Sequence, residues 1–250
     1  MKMKQQYIKG IPFCSLEYTQ VVNILKDWLS EKNEKPRFIV TANPEIVMFA
    51  KESSAESVHF KNILLSADLI TADGIGVILG SKILKGQLKE RVTGADLTYD
   101  LIEYCNQNRY RVFLFGAAPE NNEKAIENLK VSFPHAVFEG QHGFIGKEQL
   151  EEVKCHMKQF QPHLLLVALG SPKQEMFIYD NLQELNVPLS IGIGGMIDII
   201  SGNIKRAPKM MRDTGTEWLY RLITQPKRIK RQLVLPKFLL SVMVDRVRKQ

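Results

Sequence analysis

The sequence predicts an α/β protein, a Rossmann-like parallel sheet with helices on both faces, carrying a basic helical C-terminal appendage. Three observations support this. Short apolar runs alternate with longer stretches of helical period. The runs are mostly apolar and do not alternate, as expected of strands buried on both faces. The positive charge gathers at one end: 13 of the 34 Lys and Arg residues fall within 204–250, against three acids there, Asp213, Glu217 and Asp245. The remaining residues hold 21 basic and 24 acidic groups. The boundaries read as an α/β body at 1–203 and an appendage at 204–250, and 250 residues suffice for a full core.

Taken in order, Tyr7–Leu16 reads as a small edge hairpin. Buried strands are expected at Arg37–Thr41, Asp68–Ala72, Arg111–Phe115, His163–Leu169 and Pro188–Ile193, with a weaker one near Ala136–Glu139. Helices are expected at Glu17–Ser30, Glu45–Leu64, Thr93–Asn108, Pro119–Ser132, Lys147–Phe160 and Pro172–Leu185. Strand–helix alternation argues for a doubly wound sheet.

Several function classes recede. Cys14, Cys105 and Cys155 are odd in number and widely spaced, which argues against a disulfide framework or a structural zinc site and favours a reducing compartment. Gln5, Gln6, Lys9 and Gly10 interrupt any signal-peptide core, and no apolar run reaches the ~18 residues of a membrane span. The five histidines show no metal-ligand spacing, and no Asp-x-Asp pair is present to hold a metal. The basic tail implies an anionic partner: phosphate, anionic lipid or nucleic acid. Interleaved apolar residues and the lack of a recognition motif argue against nucleic acid.

In a doubly wound sheet, ligands bind beyond the carboxyl ends of the strands, and polar and glycine residues gather at five such ends. Asp73, before two glycines, reads as a general base or as a plain Asp-Gly turn. Thr41 and Asn43 can contact a substrate or cap the next helix. Gly116 and the glycines at 192, 194 and 195 can cradle a diphosphate, although the GxGxxG spacing of a dinucleotide site is missing. Gln174 can point its amide at a sugar, and Glu175 beside it suits the first turn of a helix electrostatically. Arg91 reads as a phosphate ligand or a solvated charge.

In the tail, Met211, Gly215, Trp218 and Leu222 keep helical spacing, an apolar stripe for packing on the body. Arg221, Arg228 and Arg231 fall on one approximate helix face, either solvated or ready to grip a pyrophosphate in arginine's bidentate fork. A new helix is expected to start at Pro226. After Pro236, the residues Phe238, Leu239, Val242, Met243 and Val247 form an apolar face ringed by Lys237, Arg246, Arg248 and Lys249. That pattern suits an interfacial helix on anionic lipid, or an ordinary surface helix.

Taken together, Thr41-Ala-Asn-Pro-Glu45, Ala72-Asp-Gly-Ile-Gly76, Arg91-Val-Thr-Gly94, Gly170-Ser-Pro-Lys-Gln-Glu175, Arg206-Ala-Pro208 and Glu217-Trp-Leu-Tyr-Arg221-Leu222 resemble the WecG/TagA/CpsF family of bacterial glycosyltransferases. The motifs occur in family order from about Thr41 to Arg231. They look most like those of the family's N-acetylmannosamine transferases of wall teichoic acid synthesis. Two positions depart from the family pattern: Met-Ile precedes Asp198 where an aromatic is usual, and Gln232 follows Arg231 where Tyr is usual.

The resemblance implies transfer of N-acetylmannosamine from its UDP donor to undecaprenyl-diphosphate-linked N-acetylglucosamine, with inversion and without metal or cofactor. By matched motif, Asp73 deprotonates the acceptor 4-hydroxyl, Thr41 and Asn43 position the sugars, and Arg91 and Gln174 line the pocket. Arg221, Arg228 and Arg231 bind the donor diphosphate, where fixed cations stabilise the departing UDP. Relatives use UDP-N-acetylmannosaminuronic acid or other UDP-sugars. The expected place is cytoplasmic, peripheral on the inner face of the cell membrane, with self-association when the tail is undocked.

Overall fold

The apolar runs become strands in the computed structural model, which describes residues 4–30, 35–224 and 233–248. The main sheet comprises β3 (Arg37–Ala42), β4 (Leu69–Ala72), β5 (Arg111–Gly116), β6 (Val137–Gln141), β7 (Leu164–Ala168) and β8 (Leu189–Gly192). Its order is β4-β3-β8-β7-β5-β6. The pairings of β3 with β8, β8 with β7, β7 with β5 and β5 with β6 are all parallel. Every residue of β4, β7 and β8 is buried, which is why these runs lack alternation. β6 lies at the edge and is only partly covered, so its signal is weaker. The predicted fold class is the one observed.

Flanking helices are α1 (Tyr18–Ser30), α2 (Pro44–Phe49), α3 (Ala55–Ser66), α4 (Ile75–Ile83), α5 (Gly94–Asn108), α6 (Pro119–Ser132), α7 (Lys147–Phe160), α8 (Lys173–Leu185) and α9 (Met196–Ile200). The single helix expected over Glu45–Leu64 is two. α2 ends at Ala50, and Ser54 starts α3 as its N-cap, with its hydroxyl accepting from the Ser57 N–H at 3.1 Å. α4 is not among the expected helices, and its two internal glycines lower helix propensity.

Two compact units share the chain: Met1–Tyr18, Thr41–Thr93 and Arg206–Gln250 make one, and Thr19–Val40 with Gly94–Lys205 make the other. The core of the second unit is built on Phe113, Phe115, Phe138 and Leu164–Val167, with the Phe115 and Phe177 rings 4.8 Å apart.

The first unit holds β1 (Gln5–Ile8) and β2 (Ile11–Cys14), joined through Lys9 and Gly10, both at positive φ. This hairpin is a two-stranded sheet of its own, not an edge of the main sheet. Its fully buried Ile8, Ile11 and Phe13 leave it packed against β4 and α4.

The tail in this unit forms α10 (Lys209–Asp213), α11 (Glu217–Thr224) and α12 (Val234–Arg248). The expected stripe from Met211 to Leu222 is not one helix, because Gly215 at φ +73° breaks it between α10 and α11. The apolar face expected after Pro236 is divided. Phe238 and Val242 are fully buried against the body, while Met243 and Val247 are exposed together with Leu240 and Val244. The helix start expected at Pro226 lies outside the described residues.

Candidate active site

The sequence-selected residues fall into two clusters, one per unit. In the first unit, Thr41 is the penultimate residue of β3 and is 9% exposed. The Asp73 N–H donates to the Ala42 carbonyl at 3.0 Å, the Val92 N–H donates to Ala72 at 2.9 Å, and the Thr71 hydroxyl donates to Val92 at 2.9 Å. These bonds bring the carboxyl ends of β3 and β4 and the 91–93 segment side by side. Half-buried Asp73 then stands directly before Gly74, the N-cap of α4, which adopts φ +89°. A helix start favours an anion at this place.

Asn43 is the N-cap of α2: its Oδ1 accepts from the Ile46 N–H at 3.0 Å, and Pro44 follows at the first helical position. The cap uses the amide oxygen and leaves Nδ2 as a donor. Arg91 is half-buried and donates from Nη2 to the Arg212 carbonyl in the last turn of α10, so it is no purely solvated charge. A cation suits a helix C-terminus. Arg221 lies on α11, and Arg228 and Arg231 lie outside the described residues.

The second cluster surrounds a switch in strand order. The chain leaves β5 toward β6 on one side and leaves β7 toward β8 on the other. Right-handed crossovers put the following helices on opposite faces, which opens a crevice between the carboxyl ends of β5 and β7. Gly116 closes β5 at φ +128°, where a Cβ would stand 2.4 Å from the Ala168 carbonyl oxygen, so only glycine fits. Buried Asn122 donates to the carbonyls of Gly116 and Gln141 at 2.9 and 3.1 Å, tying together the ends of β5 and β6. Its burial is not legible from its neighbours, because polar residues surround it along α6.

Gln174 is 5% exposed and occupied on both sides. Its Nε2 donates to Glu175 Oε1 at 2.8 Å, and its Oε1 accepts from the Gly194 N–H at 3.1 Å. Gly192 has no room for a side chain, since a Cβ would meet Gln174 Nε2 at 2.5 Å. The amide read as a sugar ligand therefore braces the glycine turn after β8. Burial pushes the Glu175 carboxyl above the usual range, although Gln174, its own backbone and Ser171 favour the charged form. Its Oε2 is buried without a hydrogen-bond partner. Sequence reasoning saw only a helix-dipole preference there.

Among the described residues, no three His, Cys, Asp or Glu side chains converge as a group able to hold a metal. Nor is any described helix long and apolar enough to cross a membrane.

Residues 6–250 match the family described as the glycosyl transferase WecG/TagA/CpsF family. The chain belongs to this glycosyltransferase family. Among curated proteins it is 36% identical over 241 residues to the N-acetylglucosaminyldiphosphoundecaprenol N-acetyl-beta-D-mannosaminyltransferase of Bacillus spizizenii, covering 96% of this chain and 91% of that protein. It is 34% identical over 235 residues to the Staphylococcus aureus protein of the same name, covering 94% and 91%. The resemblance expected from the motifs is thereby borne out, and the chain is a glycosyltransferase.

Proposed function

We propose that this glycosyltransferase moves N-acetylmannosamine from UDP-N-acetylmannosamine to N-acetylglucosaminyl-diphosphoundecaprenol, in synthesis of the wall teichoic acid linkage unit. The observation that carries the reading is Asp73 held beside the end of β3 and at the head of α4, in a chain so similar to proteins named for that transfer.

In the reaction, Asp73 takes the proton of the acceptor 4-hydroxyl. The hydroxyl oxygen forms a bond to the anomeric carbon from the face opposite the diphosphate, and the anomeric carbon–phosphate oxygen bond breaks. UDP departs with that electron pair, the anomeric centre inverts, and no metal takes part. Thr41 and the Nδ2 of Asn43 orient the sugars. Arg91 lines the sugar pocket of the first unit; in the second unit Gln174 braces the glycine turn after β8, and Gly116 and Gly194 leave room for a diphosphate backbone. Arg221, Arg228 and Arg231 oppose the charge that develops on the leaving UDP.

A lipid-linked acceptor supports a peripheral position for the enzyme at the anionic inner face of the cell membrane. The outward apolar residues of α12 support this: Leu240 is 64% exposed and Val247 72%, with Lys237 and Arg248 also on the exposed side.

A donor screen with a lipid-diphosphate-N-acetylglucosamine analogue, reading UDP release, tests the reading. Acceptor-dependent release from UDP-N-acetylmannosamine is expected. Preference for UDP-N-acetylmannosaminuronic acid would assign the enzyme to another surface polysaccharide. Asp73→Asn is expected to fold normally and lose about 10²–10⁴-fold in kcat; near-wild-type turnover would remove Asp73 as the base.

A further inference from the structure

α4 carries glycines four residues apart, Gly76 and Gly80, on one helix face. Both are occupied by α12. The space that a Cβ on Gly80 would take has Phe238 Cε1 at 2.9 Å and Val242 Cγ2 at 3.7 Å. The same space at Gly76 has Leu235 Cδ1 at 2.4 Å and Pro44 Cγ at 2.6 Å. The two glycines therefore form a smooth seam into which α12 settles, and Phe238 and Val242 are fully buried there.

Polar contacts fix the register of the seam. Arg246 Nη1 donates to the Ile83 carbonyl at the end of α4 at 2.8 Å. Lys9 Nζ pairs with Asp245 Oδ2 at 2.8 Å and donates to the Ser241 carbonyl at 3.2 Å, fastening α12 to the hairpin turn. Leu235 thus meets the first turn of α4, Phe238 its middle and Arg246 its end, so the two helices run in the same direction.

Leu235 sits where two helix starts converge. Gly76 lies three residues after Asp73. Pro44 is the first helical residue after Asn43. We propose that Leu235 is a positioning residue, a wedge that holds the starts of α4 and α2 so that Asp73 and Asn43 keep the geometry the acceptor hydroxyl needs. The inference rests on the transferase reading and on Asp73 as its base. It gives α12 a task beyond attachment: the inner face sets the site while the outer face remains available to lipid. A misplacement of about 1 Å at a reacting group is enough to cost about 10²-fold in rate.

The test uses the full chain with a short-chain, water-soluble acceptor, so that membrane attachment is not read. Leu235→Ala is expected to lower kcat about tenfold or more while KM for UDP-N-acetylmannosamine stays within about twofold. Leu235→Met is expected to restore most of the rate. Gly76→Ala crowds both Leu235 and Pro44 and lowers kcat; Leu235→Ala added to it relieves the Leu235 clash and leaves the Pro44 one, so the double variant is expected to lose less than the two single losses combined. A Leu235→Ala enzyme at wild-type kcat, or strictly additive effects in this cycle, would overturn the proposal.

Hydrogen exchange gives a readout independent of turnover. Amides at 76–79 are expected to exchange faster in Leu235→Ala, with those of α6 unchanged as a control for folding. Unchanged exchange at 76–79 overturns the seam. A wild-type enzyme that releases no UDP sinks the transferase reading alone, and the exchange measurement still decides the seam.

Discussion

The side-chain amide of Gln174 accepts from the backbone N–H of Gly194 at 3.1 Å and donates to the neighbouring Glu175 at 2.8 Å. One side chain thereby serves the glycine turn after β8 and one oxygen of a buried carboxyl. Gln174→Met keeps most of the volume but removes the acceptor of the Gly194 N–H and a donor to Glu175. A buried polar group stripped of its partner costs about 1–3 kcal/mol. The variant is expected to lose stability on that scale in denaturant unfolding; an unchanged midpoint would show that the turn holds without the amide.

Glu175 sets a pH dependence. Burial raises its folded-state pKa above the ordinary value of 4.5, so the folded state binds the proton more tightly than the unfolded chain. The stabilising contribution is fully present below the unfolded pKa and is lost as pH rises through the folded one. Above that window the fold carries the cost of a buried charge. Glu175→Gln removes the titration. Its stability is expected to be flatter than the wild type's from pH 4.5 upward into the raised range, measured by unfolding at a series of pH values. Parallel curves for the two proteins would refute the assignment.

The strands were legible because their signal is burial on both faces, and β4, β5, β7 and β8 are apolar for that reason. The cluster around Asp73 was legible because Asn43 before Pro44 is a recognisable helix start, and because polar and glycine residues follow the apolar runs of β3 and β4. What stayed hidden depends on contacts distant in sequence. Gln174 looked like a free amide until Gly194, 20 residues on, was seen to claim it. Arg91 read as a phosphate ligand or a solvated charge, and the Arg212 carbonyl that it binds lies 121 residues away. α12 read as an amphipathic helix with one apolar face, and periodicity cannot tell that Phe238 faces the α4 glycines while Leu240 faces outward.

That division of α12 bears on what the tail does when it is removed. A chain ending at Lys205 loses α10, α11 and α12 and uncovers the α2 and α4 surfaces on which Phe238 and Val242, both at 0% exposure, are seated. Burying each such side chain is worth about 1.5–3 kcal/mol, and an exposed apolar strip of this kind promotes association. The loss also takes away Arg221, Arg228, Arg231 and the Leu235 wedge together. The truncated chain is therefore expected to self-associate with concentration in sedimentation velocity, while the full chain does so less, and to release little UDP from a water-soluble acceptor. A truncated chain that stays monomeric and turns over at the full rate would reduce the tail to a membrane attachment and remove α12 from the site.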